Sequence, residues 1–150
     1  MRIYLVIMDE TPEASAALRL ASHLAAGNGG AVHVIALVPK QDFVAFGGVQ
    51  ATMEEEAKSR AEVLVMAAAG NLLTQSGRMP VISVRIGIGT QVVKTYLAEQ
   101  PGIAALVLGA APEGPPGTLV THFAETAGDL PCPLIIVPGR LSDDEIDAIA

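Results

Sequence analysis

A chain of 150 residues, 51% hydrophobic and only 3% aromatic, has room for one domain with an aliphatic, alanine-rich core. Its net charge of −7 and pI of about 4.8 argue against nucleic acid as a partner, because an acidic surface repels phosphate backbones; no basic run offers itself to a membrane of anionic lipid either. Cys132 is the single cysteine, which excludes an intrachain disulfide, and a charged fraction of 17% leaves apolar surface for a partner to cover.

The first residues, MRIYLVIMDE, hold an apolar run too short for a signal-peptide core or a membrane span. They read as a first strand over Ile3 to Met8, and the protein is expected in the cytoplasm. Asp9 and Glu10 follow at the carboxyl end of that strand. Thr11 then fits an N-cap, with Pro12 at the first helical position and Glu13 in the first turn, where acid suits the helix dipole. Ala14, Ala17, Leu18, Ala21, Leu24 and Ala25 recur at helical spacing and form a narrow stripe that packs on a sheet. Gly27 to Gly30 end the helix.

Ala31 to Val38 is the second strand, with His33 its one polar residue, and Pro39 stops it. Lys40 to Gln50 reads as a loop whose Phe43 and Phe46 fold over something apolar, a crevice mouth or a partner. Ala51 to about Gln75 is the longest helix, with Ala57, Ala61, Leu64, Val65, Ala68 and Leu72 buried and Glu54, Glu55 and Glu56 near its start. Gly77 ends it. Val81 to Ile86 is the third strand. Gly87 to Thr90 makes a tight turn in which Thr90 caps a short helix carrying Val92, Val93, Tyr96 and Leu97.

Ile103 to Leu108 and Leu134 to Val137 are continuous apolar runs. Strands apolar on both faces belong to a parallel sheet covered by helices. The order β-α-β-α-β-α-β-α-β therefore predicts an α/β domain over residues 1–150 with right-handed crossovers. The last strand, Pro133 to Pro138, reads as an edge, and a bare apolar edge calls for a symmetric dimer. Residues 141–150 form a tail of one or two helical turns with a frayed end, opened by a Ser142–Glu145 capping box, with Ile146 and Ile149 inward.

Ligands in open α/β sheets bind beyond the carboxyl ends of the strands. Two segments lie there. Asp9 has two readings: a hydrogen-bond acceptor for a ligand's ribose or base, or a turn carboxylate that caps the backbone near Thr11 and Pro12. The loop Gly109 to Gly117 resembles a phosphate cradle only in part. Three of its nine positions are proline and lack the N–H that a cradle needs, Glu113 adds negative charge, and no lysine or arginine is present; a plain structural turn fits it better. The helix start from Thr118 to Thr121 still offers hydroxyls and N–H groups. The histidines assemble no catalytic set, though His122 lies near the loop. No metal-ligand spacing is present, and Cys132 reads as a small buried thiol.

Four segments, IYLVIMDETPEASAALRLASHLA, AVHVIALVP, the Gly87 turn before Val92 and Val93, and ALVLGAA followed by LPCPLIIVPG, resemble the universal stress proteins over essentially the whole chain. The short acidic tail, LSDDEIDAIA, is most similar to the form common in alphaproteobacteria. The resemblance implies a five-stranded parallel sheet of order 3-2-1-4-5 with an adenine-nucleotide alpha-hydrolase-like fold. It also implies dimerisation through the fifth strand and a cytoplasmic stress role. Many members bind ATP through the pattern G-2x-G-9x-G-[ST] after the fourth strand. Here Gly109 supplies the first glycine, and the second falls on Pro112. The third pair falls on His122 and Phe123 by strict spacing, or on Val120 and Thr121 counted back from the PCP turn. By position Asp9 matches the family's first-strand aspartate, and Val38 matches the strand end whose backbone meets adenine. The resemblance thus implies a non-catalytic stress-response homodimer with weak binding of ATP or another adenine nucleotide. The nucleoside would sit at Asp9, Val38 and Gly109, with Thr118 and Thr121 left at a degraded phosphate end. The alternatives are an ATP-binding switch with slow hydrolysis, or a module that binds a protein partner near Phe43 and Phe46 without nucleotide.

Overall fold

The computed structural model describes residues 1–39 and 47–150. In chain order its elements are β1 (Ile3–Met8), α1 (Glu13–Asn28), β2 (Ala31–Pro39), α2 (Gly47–Ser76), β3 (Val81–Gly87) and α3 (Gly89–Glu99), followed by β4 (Ile103–Ala110), α4 (Thr118–Glu125), a 3-10 turn at Ala127–Asp129, β5 (Leu134–Pro138) and α5 (Asp143–Ile149). The five strands form one sheet in the order β3-β2-β1-β4-β5, and every pair is parallel. The parallel sheet is the one that the alternation of apolar runs and helical stripes predicts, and its strand order is the one that the resemblance implies.

β1 lies at the centre and divides the core by its period of two. Tyr4, Val6 and Met8 pack with Ala17, Leu18 and Ala21 of α1, Ala61 and Val65 of α2, and Ile146 of α5. Leu5 and Ile7 pack with Val93, Tyr96 and Leu97 of α3 and Val120 and Phe123 of α4. Both faces of the strand are dry, which is why its sequence is apolar without alternation. On the second face His33 is buried, with Nδ1 2.7 Å from the Tyr96 hydroxyl. Burial lowers the pKa of His33 and so favours its neutral form.

Close approach of α1 to the sheet depends on small residues. A Cβ on Gly109 of β4 would collide with the Glu13 carbonyl, and one on Gly139 would lie 2.5 Å from the Ala110 oxygen and 2.8 Å from the Glu13 Cβ. The first turn of α1 therefore rests directly on the end of β4, pinned between two glycines.

Several local expectations are corrected. α2 begins at Gly47, so Glu54 to Glu56 lie two turns inside it and its dipole does not hold them. Leu64 of its stripe is 37% exposed, and Ala69 is buried instead. Thr11 does not cap α1: its N–H donates to Asp9 Oδ1 at 3.0 Å and its hydroxyl donates to the same oxygen. Thr90 is the second residue of α3 and makes no cap either. The loop that contains Phe43 and Phe46 lies outside the described residues.

The C-terminal tail is docked. Ser142 and Glu145 form the expected capping box. Arg19 donates two hydrogen bonds of 2.8 Å to Asp147, and His23 Nε2 lies 2.5 Å from the same carboxylate. Arg19 first, then His23, holds the Asp147 carboxyl down at about 2. Ile146 is buried beneath this clamp, whereas Ile149, expected inward, is 65% exposed. At the opposite side of the sheet from β3, β5 is an edge as expected, with Ile136 40% exposed.

Candidate functional site

The chain leaves β1 towards β2 and β3, then crosses back to place β4 on the other side of β1. That reversal parts the connections beyond the carboxyl ends of β1 and β4 and opens a crevice between them. A cleft of about 450 Å³ lies at this point, within the size range of small-molecule sites. Ile7, Leu37 and Leu108 form an apolar floor. Asp9, Thr11 and Glu13 stand on one side, Pro116 to Val120 on another, and Gly87 to Thr90 close a third.

The β1–α1 turn is organised by Asp9. Its Oδ1 accepts from both the amide and the hydroxyl of Thr11, an Asx-type arrangement that needs the short side-chain oxygen of an Asp or Asn two residues upstream. Its Oδ2 has no hydrogen bond among the described residues. The two readings of Asp9 are therefore compatible: one oxygen orders the turn, and the carboxylate as a whole lines the cleft.

The β4–α4 connection is built differently. Ala111 N–H donates to the Pro116 oxygen at 3.0 Å and closes the loop on itself. Pro112, Pro115 and Pro116 have no amide to give. Gly117 adopts φ +119°, which frees the chain to turn into α4, whose first residues Thr118, Leu119 and Val120 line the cleft.

The third side comes from the turn after β3. Gly89 lies under Leu37 and Leu119: a Cβ there would be 3.0 Å from one and 3.1 Å from the other. The turn packs closely, and it brings Ile88 and Thr90 to the cleft. Ile88 is 56% exposed, an apolar side chain at the rim.

Of the residues singled out from the sequence, Asp9, Gly109 and Thr118 meet at the cleft. Val38 does not line it. It lines an adjoining groove of about 280 Å³ on the α2 face with Met8, Ala57 and Leu64, and this groove shares Asp9, Thr11, Leu37 and Pro39 with the cleft. Val38 lies beyond the last β1–β2 pair, Met8 with Ala36, but is still paired with Ile86 of β3. Thr121 is exposed and its N–H donates to the Gly117 oxygen at 3.0 Å, so it stands one turn back from the opening. Glu13, Ile88, Thr90 and Leu119 were not foreseen as lining residues. For Thr90 and Ile88 the signal was their place at the carboxyl end of a strand, which holds for the third strand as for the first.

The remaining chemistry-bearing side chains stand elsewhere. His122 packs edge-on to Phe123 on α4. Cys132 packs with the α3–α4 face of the core, and burial pushes its thiol up, partly offset by a hydrogen bond to the Leu106 backbone; a thiol shifted that way is a poor nucleophile. Among the described residues no group of histidine, cysteine and carboxylate side chains could hold a metal ion, and no helix is long and apolar enough to cross a membrane.

Comparison with known proteins agrees with this architecture. The model of the universal stress protein family matches residues 1–138, and the chain belongs to that family. No curated protein sequence matches it. Among solved structures it is similar to the universal stress protein UspA from Lactobacillus plantarum, at 19% identity and a TM-score of 0.78 over 91% of this chain and 97% of that one. It is also similar to a protein of the same family from Burkholderia pseudomallei, at 17% identity and a TM-score of 0.69 over 91% and 95%. A universal stress protein from Archaeoglobus fulgidus follows at 16% identity and 0.55 over 91% and 93%. At such identities the likeness is one of fold.

Proposed function

We propose that this member of the universal stress protein family works as a non-catalytic, cytoplasmic stress-response protein whose cleft holds the nucleoside end of an adenine nucleotide and holds its phosphates poorly. The observation that carries the reading is the contrast between Asp9 and the β4–α4 loop. Asp9 is fixed through one oxygen and lines the cleft, which leaves a second acceptor for the hydroxyls of a ribose. The loop closes on its own Ala111 amide and carries three prolines, so few N–H groups remain for phosphate oxygens. Gly109 and Thr118 complete the contacts on the β4 side, and the backbone near Val38 borders the base. Thr121 is left out of the set, since it faces solvent.

Calorimetric titration of the purified protein with adenosine, with Asp9→Ala as comparison, tests the reading. Binding that weakens about tenfold or more in the variant is expected, the cost of losing hydrogen bonds to a charged acceptor. Equal affinity in the two proteins sinks it.

The proposed assembly is a homodimer joined through the outer edge of β5, Pro133 to Pro138. Its support is the free edge position of that strand and the exposed Ile136, features that a monomer would have to cover. Sedimentation should give a dimer for the native chain and a monomer for Ile136→Lys; a native monomer contradicts the assignment.

A further inference from the structure

We propose that Glu13 sets the ligand class of the cleft: its carboxylate keeps the site open to an uncharged nucleoside and shuts out the phosphorylated forms. The proposal rests on the reading that the cleft takes an adenine nucleoside, and goes further by assigning the selection to one side chain.

Glu13 is the first residue of α1 and lines the cleft. A helix start beside a strand end is where an α/β fold would ordinarily receive a ligand's phosphate, on free amides and the positive end of the dipole. Here the first residue of that helix start is itself acidic and lines the cleft. It cannot swing aside with its backbone, because the first turn of α1 is wedged against Gly109 and Gly139, with the Glu13 Cβ 2.8 Å from where a Gly139 side chain would begin.

No side-chain cation relieves it. Asp9 lies on the same side, and among the described residues no lysine, arginine or histidine lines the cleft. Glu13 makes no ion pair among the described residues. Glu10, by contrast, has a cation: its carboxylate meets Arg60 at 3.2 Å on the exposed border of the adjoining groove. A neutral nucleoside meets two hydrogen-bond acceptors in this setting. A nucleotide carries negative charge into it, and each added phosphate adds repulsion. Selection is thus exerted by charge, independently of how many amides the β4–α4 loop can offer.

The test is calorimetric titration of the full chain with adenosine, AMP and ATP, without divalent cation, in the native protein, Glu13→Gln and Glu10→Gln. The native protein is expected to bind adenosine best and ATP worst. Its ATP affinity should rise as salt is raised to about 0.15 M, because screening weakens repulsion. Glu13→Gln should bind AMP and ATP about five- to tenfold more tightly while adenosine stays within about twofold, and Glu10→Gln should resemble the native protein. Unchanged ligand ratios in Glu13→Gln, or an equal gain in Glu10→Gln, would overturn the role of Glu13. Absence of adenosine binding to any of the three proteins is a different result: it overturns the nucleoside reading beneath the proposal.

Discussion

The two walls of the cleft are made by opposite means. The β1–α1 wall is short and polar, and a side chain orders it: Asp9 ties down Thr11 and presents a carboxylate. The β4–α4 wall is long, and proline and one internal amide bond order it. In the proposed function the first wall meets a ligand's hydroxyls through Asp9 and repels its phosphates through Glu13. The second wall spends the Ala111 amide on itself and holds three prolines. On that proposal, hydrogen bonding to a nucleoside's hydroxyls and backbone hydrogen bonding to its phosphates rest on different connections.

Gly109 is where the walls touch, so its substitution should have the largest effect. In Gly109→Ala the new methyl group meets the Glu13 carbonyl, a backbone atom that cannot move without shifting α1. Denaturant unfolding should show a loss of about 1–3 kcal/mol, together with loss of any ligand bound between the walls. A fully stable variant would mean that α1 does not rest on β4 as described.

The contrast is sharpened by giving the second wall an amide. Pro112→Ala should improve ATP binding by no more than about threefold, the worth of one exposed hydrogen bond, and leave adenosine unchanged. A large gain would shift the cause of poor phosphate binding from charge to that single proline.

The smallest effect is expected far from both walls. Arg19 and His23 hold the folded-state carboxyl of Asp147 at about 2, below its ordinary 3.8. A depressed carboxyl contributes stability above the unfolded value and loses it as pH falls through the folded one. Asp147→Asn should thus be slightly less stable at neutral pH, with the difference vanishing between about pH 4 and pH 2, and with ligand affinity untouched. A change in adenosine binding would couple the α5 clamp to the cleft and blur the comparison.

The sheet was legible because β1 and β4 are apolar almost without interruption, which a strand covered on both faces tolerates. Helix ends were less legible. Thr11 and Thr90 both look like caps, yet Asp9 engages the first, and the second lies inside α3 because Ile88 takes the N-cap position. Hydroxyl residues near a helix start compete for several local partners, and the sequence does not rank them. Val38 illustrates a different limit. Consecutive strand residues face opposite sides, so if Leu37 floors the cleft, Val38 must look into the neighbouring groove. That follows from strand period once the cleft's face is known, and the face is a tertiary fact. Glu13 was legible as a dipole partner and illegible as a cleft residue for the same reason: its neighbours Gly109 and Gly139 lie about a hundred residues away.

The most direct measurement is a crystal structure of the protein grown with ATP. The account predicts density for the nucleoside beside Asp9 and Gly109, with no ordered phosphates beyond it. An intact triphosphate seated against residues 109–121, with its oxygens on the loop amides and the start of α4, would contradict it.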